Sequence, residues 1–177
     1  DPHDDAPMPL DYYVWGLLSE DRIIVVDTGF DRPMAQKRSR TLLKPPGEGL
    51  RAVGIDPAAV KNVLITHMHY DHCGNHDLFP QAHFHVQDRE MKFATGRHMT
   101  HPMIRWAFDE DDVVAMVRRV FRGRVVFHDG DEDIAPGISV HHVGGHTMGM
   151  QIVRVNTRRG VVGLASDASH LYAKMES

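Results

Sequence analysis

The stretch ITHMHYDHCGNH, Ile65 to His76, places four histidines and an aspartate within twelve residues, directly behind the apolar run Val63, Leu64 and Ile65. Its core is an H-x-H-x-D-H array made of His67, His69, Asp71 and His72. On a helix these side chains would scatter around the circumference. In a loop leaving a buried strand, their nitrogens and carboxylate converge within metal-bond reach. A solvated polar turn is the plain alternative, and the buried strand in front of the array argues against it.

Two further clusters end apolar runs in the same way. His146 follows Val143, Gly144 and Gly145, and the two glycines are expected to let the backbone approach a crowded centre closely. Asp167 ends the run GLAS, where a lone carboxylate is costly to bury unless it is paired or metal-bound. A capping or turn role accounts for Asp167 taken singly. Three strand-end clusters together favour a metal centre. Histidine is also the compositional outlier, at 14 residues, and it is the commonest metal ligand.

The remaining sequence reads as one α/β domain over residues 1–177. "YYVWGLL" and "RIIVVDTGF", separated by "SEDR", have the pattern of a hairpin. "DPAAV", with Asp56 as cap, reads as a short helix feeding the strand "NVLIT"; "HFHV" reads as a strand and "QDREMKFAT" as a helix. In "DEDDVVAMVRRVF", Val113, Met116, Val117, Val120 and Phe121 recur at helical spacing, with acids at one end and arginines at the other. Short strands follow in "RVVFH", "GISVHHV", "MQIVRV" and "GVVGLAS", and Lys44 to Gly49 reads as a surface loop. This pattern implies stacked sheets with outer helices.

Residues 87–121 form a helical insert. Its apolar members Met91, Phe93, Met99, Met103, Ile104, Trp106 and Phe108 suit a lid over a substrate or a homodimer contact, with ordinary core packing as the alternative. Cys73 is expected to be a small packed residue, and His76, His83, His85, His98, His101, His128 and His141 lack ligand spacing. His142 is a candidate to orient a ligand.

A formal charge of −4 argues against a broad nucleic-acid-binding face, and no apolar stretch reaches the roughly 18 residues of a membrane span. One cysteine fits a reducing compartment, so cytoplasm is expected. The N-terminus lacks both a signal-peptide pattern and an initiator Met, which suggests a fragment.

The segments "DTG" (Asp27 to Gly29), "THMHYDH" (Thr66 to His72), "GGHT" (Gly144 to Thr147) and "SDA" (Ser166 to Ala168) resemble, in order and spacing, those of the metallo-β-lactamase superfamily. The resemblance implies an αββα sandwich with metals at one edge of the two sheets. It implies that His67, His69 and His146 hold one zinc, that Asp71 and His72 hold a second, and that Asp167 bridges them. Other divalent transition metals are alternatives. A further ligand and the last strand and helices are expected beyond Ser177, so the C-terminal part is expected to be missing.

The run from Asp71 through the insert to "LASDASHLY" is similar to the N-acyl homoserine lactone lactonase branch. That similarity implies a dinuclear zinc hydrolase in which a metal-bridging hydroxide opens a small lactone. Asp71 or Asp167 would carry a proton, and Tyr172, with His170 as rival, would contact the substrate carbonyl. A glyoxalase II-like thioesterase or a β-lactamase shares the same ligands, and a regulatory metal-binding protein is the non-enzymatic alternative.

Overall fold

The computed structural model describes residues 10–170. The first sheet is formed by β1 (Trp15–Leu18), β2 (Ile23–Val26), β3 (Asn62–Leu64), β4 (His83–Gln87) and β5 (Val125–His128), in that spatial order. β1 and β2 make the expected antiparallel hairpin, with Leu18 opposite Ile23, and β2 to β5 run parallel. The second sheet is antiparallel, in the order β6 (Glu132–Ala135), β7 (Ile138–His142), β8 (Gln151–Thr157) and β9 (Gly160–Leu164).

Unbroken apolar runs such as IIVV are what a strand buried on both faces requires. Alternate residues serve two cores. Val25, Val63, Phe84 and Val86 pack with Leu50, Ala94 and Met116, which come from helices α2 (Pro46–Ala52), α3 (Asp88–Ala94) and α5 (Glu110–Phe121). Ile24, Val26 and Leu64 face the other way, onto Ile138, Val140 and Val153 of the second sheet. The layers are therefore helix, sheet, sheet, as the α/β sandwich demands. Among the described residues two more α-helices, α1 (Arg32–Lys37) and α4 (Pro102–Arg105), bring the number to five, and all of these precede β5. Among the described residues only a 3-10 turn, Ser166–Ala168, follows β9. No helix among them is long and apolar enough to cross a membrane.

Several local expectations change. Lys44 to Gly49 is not all loop: Pro46 begins α2, its fixed φ suiting a first helical turn. Helix α1 goes unread in the sequence, although Asp31 caps it by accepting from the Met34 N–H at 2.8 Å and Pro33 lies in its first turn. "DPAAV" forms a single 3-10 turn, Pro57–Ala59, capped by Asp56. In α5 the apolar stripe is narrower than its periodicity suggests, since Met116 is buried while Phe121 lies in solvent.

The insert divides. Met91, Phe93 and Met99 pack against the helix-side core and Phe108 is buried, whereas Met103 and Trp106 are 93% and 61% exposed. Of the seven large apolar side chains from Met91 to Phe108, Met103 and Trp106 are the ones exposed at the surface.

Candidate metal centre

Each loop that carries a candidate ligand leaves the C-terminal end of a strand. His67 follows β3, His146 follows β7 and Asp167 follows β9, so both sheets deliver side chains to one edge. His67 Nε2 lies 3.1 Å from His69 Nδ1, and His146 Nε2 lies 3.0 Å from the same atom. Asp167 Oδ2 stands 3.1 Å from His146 Nε2 and 3.7 Å from His67 Nε2. These four residues offer donor atoms that all lie within 4.8 Å of one another. Four ligands placed tetrahedrally at about 2.0–2.1 Å stand roughly 3.3 Å apart. The observed spacings scatter around that value, so the donor set fits a divalent cation of zinc's size.

Electrostatics agree with the geometry. Burial, helped by His72 and His69 for His67 and by His146 and His72 for His69, drives both imidazoles below their ordinary range, His69 to about 3. A neutral ring with a free lone pair is the form that binds metal. Burial pushes the Asp167 carboxyl up, but His146 and His72 overcome it and hold the group well below the usual carboxylate range.

The other oxygen of Asp167 serves the second half of the centre. Asp167 Oδ1 lies 3.5 Å from His72 Nε2, and Asp71 Oδ2 lies 3.6 Å from the same nitrogen. Burial disfavours charge on His72, yet Asp27, Asp167 and Asp71 outweigh it and raise its pKa well above the ordinary value. This half of the site is an acidic cradle that attracts positive charge. Asp71 itself is raised, chiefly by burial.

Asp27 sets the orientation of both halves. Its Oδ1 accepts from the Thr66 N–H at 2.7 Å, while its Oδ2 accepts from the Thr66 hydroxyl at 2.8 Å and from His72 Nδ1 at 2.8 Å. Because the Thr66 hydroxyl proton goes to Asp27, its oxygen accepts from His67 Nδ1 at 3.2 Å and from the Ser166 hydroxyl at 2.9 Å. With Nδ1 protonated on His67 and His72, both turn Nε2 toward the centre. Asp27 is fully buried and has a φ of 59°, a conformation that Asp tolerates better than most residues.

The two glycines before His146 have a different role from the one expected. Both have positive φ, 62° and 87°, but a Cβ on Gly145 would meet nothing within 4 Å. They are needed for the turn rather than for close approach. His142 donates from Nε2 to the Met148 carbonyl at 2.9 Å, bracing that loop without touching a ligand. Cys73 is fully buried, and His76 is packed away beside it.

His170 Nε2 stands 3.3 Å from Asp167 Oδ2, and its ring lies 5.2 Å from that of His146. Tyr172 lies outside the described residues. Phe108 meets the His69 ring edge-on at 4.7 Å. Sequence reasoning gave no role to Asp27, Thr66 or Glu90, and read Phe108 as part of a lid or dimer contact rather than as a neighbour of His69. The position of Asp27 behind IIVV carried the same signal as Asp167 behind GLAS, whereas the helical Glu90 carried none.

An N-acyl homoserine lactonase of Bacillus sp. is 26% identical over 185 residues, covering 95% of this chain and 68% of that protein. N-acyl homoserine lactonase AiiB of Agrobacterium fabrum is 29% identical over 132 residues, covering 70% of this chain and 45% of its own length. The crystal structure of a quorum-quenching N-acyl homoserine lactone lactonase shares the fold with a TM-score of 0.77 at 23% identity, over 97% of this chain and 69% of that one. The chain thus spans about two thirds of the first of these relatives and less than half of the second. The sequence pattern of the metallo-beta-lactamase superfamily matches residues 8–174, and the chain belongs to that superfamily.

Proposed function

We propose that the protein is a dinuclear zinc hydrolase that opens the ring of an N-acyl homoserine lactone or a related small lactone. The observation that carries this reading is the placement of Asp167 between a three-histidine cluster and the Asp71–His72 pair, one oxygen facing each. Lactonases among its relatives favour a lactone over other carbonyl substrates.

His67, His69 and His146 would hold one metal ion, Asp71 and His72 the other, with Asp167 between them. When bound, the pair supplies a polarised water that is nucleophilic at neutral pH. The chain's own groups do the rest. Asp27 fixes the tautomers of His67 and His72, so their Nε2 atoms stay directed at the centre. Asp71 or Asp167 would carry a proton, on an oxygen not engaged by metal, toward the leaving alkoxide. Tyr172 or His170 would donate to the substrate carbonyl oxygen, His170 being within 3.3 Å of Asp167. Met103 and Trp106 supply an apolar edge for a lid or a dimer contact. The buried Cys73 suits a reducing compartment, and we place the protein in the cytoplasm.

A hydrolysis panel on metal-reconstituted protein tests the reading. N-hexanoyl homoserine lactone is expected to be opened faster than an aromatic lactone, an S-acyl glutathione or a lactam, with activity lost to a chelator. Preferential thioester or lactam cleavage would replace lactonase by a sister activity on the same ligands. No hydrolysis of any of them, with a single metal bound, would indicate a metal-binding regulator.

A further inference from the structure

Glu90 sits in α3, fully buried. Its Oε1 accepts from the Met68 N–H at 2.8 Å. Its Oε2 accepts from the Thr147 hydroxyl at 2.6 Å and from the Gly149 N–H at 3.0 Å. A carboxylate is purely an acceptor, and here all three donors come from the two loops that carry the histidine cluster. Met68 lies between His67 and His69, and Thr147 directly follows His146. The backbones also touch: a Cβ added to Gly149 would run into the backbone nitrogen and Cα of Glu90. Helix α3 is thus wedged between the two loops.

The separation that matters at the centre is the 3.0 Å between His69 Nδ1 and His146 Nε2, whose side chains come from these different loops. Metal–ligand distances tolerate only about ±0.2 Å, so the loops must keep a fixed register. We propose that Glu90 is the positioning residue that sets this register, binding the His67–His69 loop to the His146 loop and thereby fixing metal affinity and ligand geometry. The proposal rests on the reading of the cluster as a metal centre. Glu90 touches no ligand atom and acts through the backbone on either side.

Glu90→Gln conserves volume and replaces one acceptor oxygen by an NH2 group. Whichever way the amide turns, that group faces the N–H of Met68 or of Gly149, and one loop is released. Thr147→Val removes a single donor without changing shape, and Thr147→Ser restores it. Met116→Ala, in α5 and within the helix-side core, removes no hydrogen bond to either loop and is the control for general destabilisation.

The test is chelator-competition titration of cobalt(II) into each metal-stripped protein, with the visible ligand-field spectrum recorded alongside thermal melting. Glu90→Gln is expected to weaken cobalt binding about 10–100-fold and to alter the bands. Thr147→Val should weaken it less and Thr147→Ser should match wild type, while Met116→Ala lowers the melting temperature and leaves affinity unchanged. Wild-type affinity and spectrum in both Glu90→Gln and Thr147→Val would overturn the proposal, as would an equal loss in Met116→Ala. A wild-type chain that takes up no cobalt would instead remove the metal reading on which the proposal stands.

Discussion

Asp167 turns one carboxylate oxygen to His146 at 3.1 Å and the other to His72 at 3.5 Å, and so stands between the loop after β7 and the loop after β3. Asp167→Asn leaves one acceptor oxygen and puts an NH2 group where the other stood. It is expected to lower metal content in both halves and to cut hydrolysis by more than the roughly 10–100-fold typical of losing an outer partner. Elemental analysis of the purified variant, with its kcat/KM on a lactone, checks this.

Asp27→Asn tests orientation without removing a ligand. Asn tolerates the positive φ at this position, so backbone strain is unchanged. The amide retains one oxygen for donors that now occupy two, leaving the Thr66 or His72 side underbonded. A stability loss of about 1–3 kcal/mol is expected, with metal affinity reduced about 10–100-fold. Denaturant melts of the metal-stripped protein separate the two effects.

Asp112 gives the fold a pH dependence away from the centre. Burial, followed by Asp109, Asp31 and Asp111, pushes its carboxyl from 3.8 up to about 7. The folded state then holds the proton more tightly than the unfolded chain, so this group's contribution to stability falls as pH rises from 3.8 to 7 and is level above that. Asp112→Asn should raise the melting temperature at pH 8 and leave it nearly unchanged at pH 4. Equal shifts at both values would show that the carboxyl is not raised.

Trp106 is 61% exposed and lies 5.2 Å from the Arg38 guanidinium, which donates to the Trp106 and Phe108 carbonyls. Trp106→Ala should cost no more than about 1 kcal/mol of stability, the scale of an exposed cation–π contact. As a lid or dimer contact, it should change either the preference between butyryl and decanoyl homoserine lactones or self-association. Steady-state kinetics and sedimentation velocity together decide, and no change in both would leave Trp106 as surface.

Much of the centre was legible because its donors follow strands whose apolar runs stand out. His67, His69, Asp71 and His72 occupy one loop, and His146 and Asp167 repeat the strand-end pattern. The Asp27–His72 bond was not legible, since its partners lie 45 positions apart and only the parallel pairing of β2 with β3 brings them together. Glu90 reads as one more acid on a polar helix, and its burial appears only once α3 is packed against both loops. The exposed Met103 and Trp106 could not be told from buried Phe108 by composition, because helical breaks at Gly96 and His101 decide which side each faces.

Calorimetric titration of zinc into the metal-stripped protein addresses the metal pair most directly. Two zinc ions per chain are expected, with uptake reduced in Asp167→Asn and the first ion lost in His69→Ala. A wild-type chain that binds no zinc, or one whose uptake is the same in both variants, would contradict a centre built on Asp167 and the three histidines.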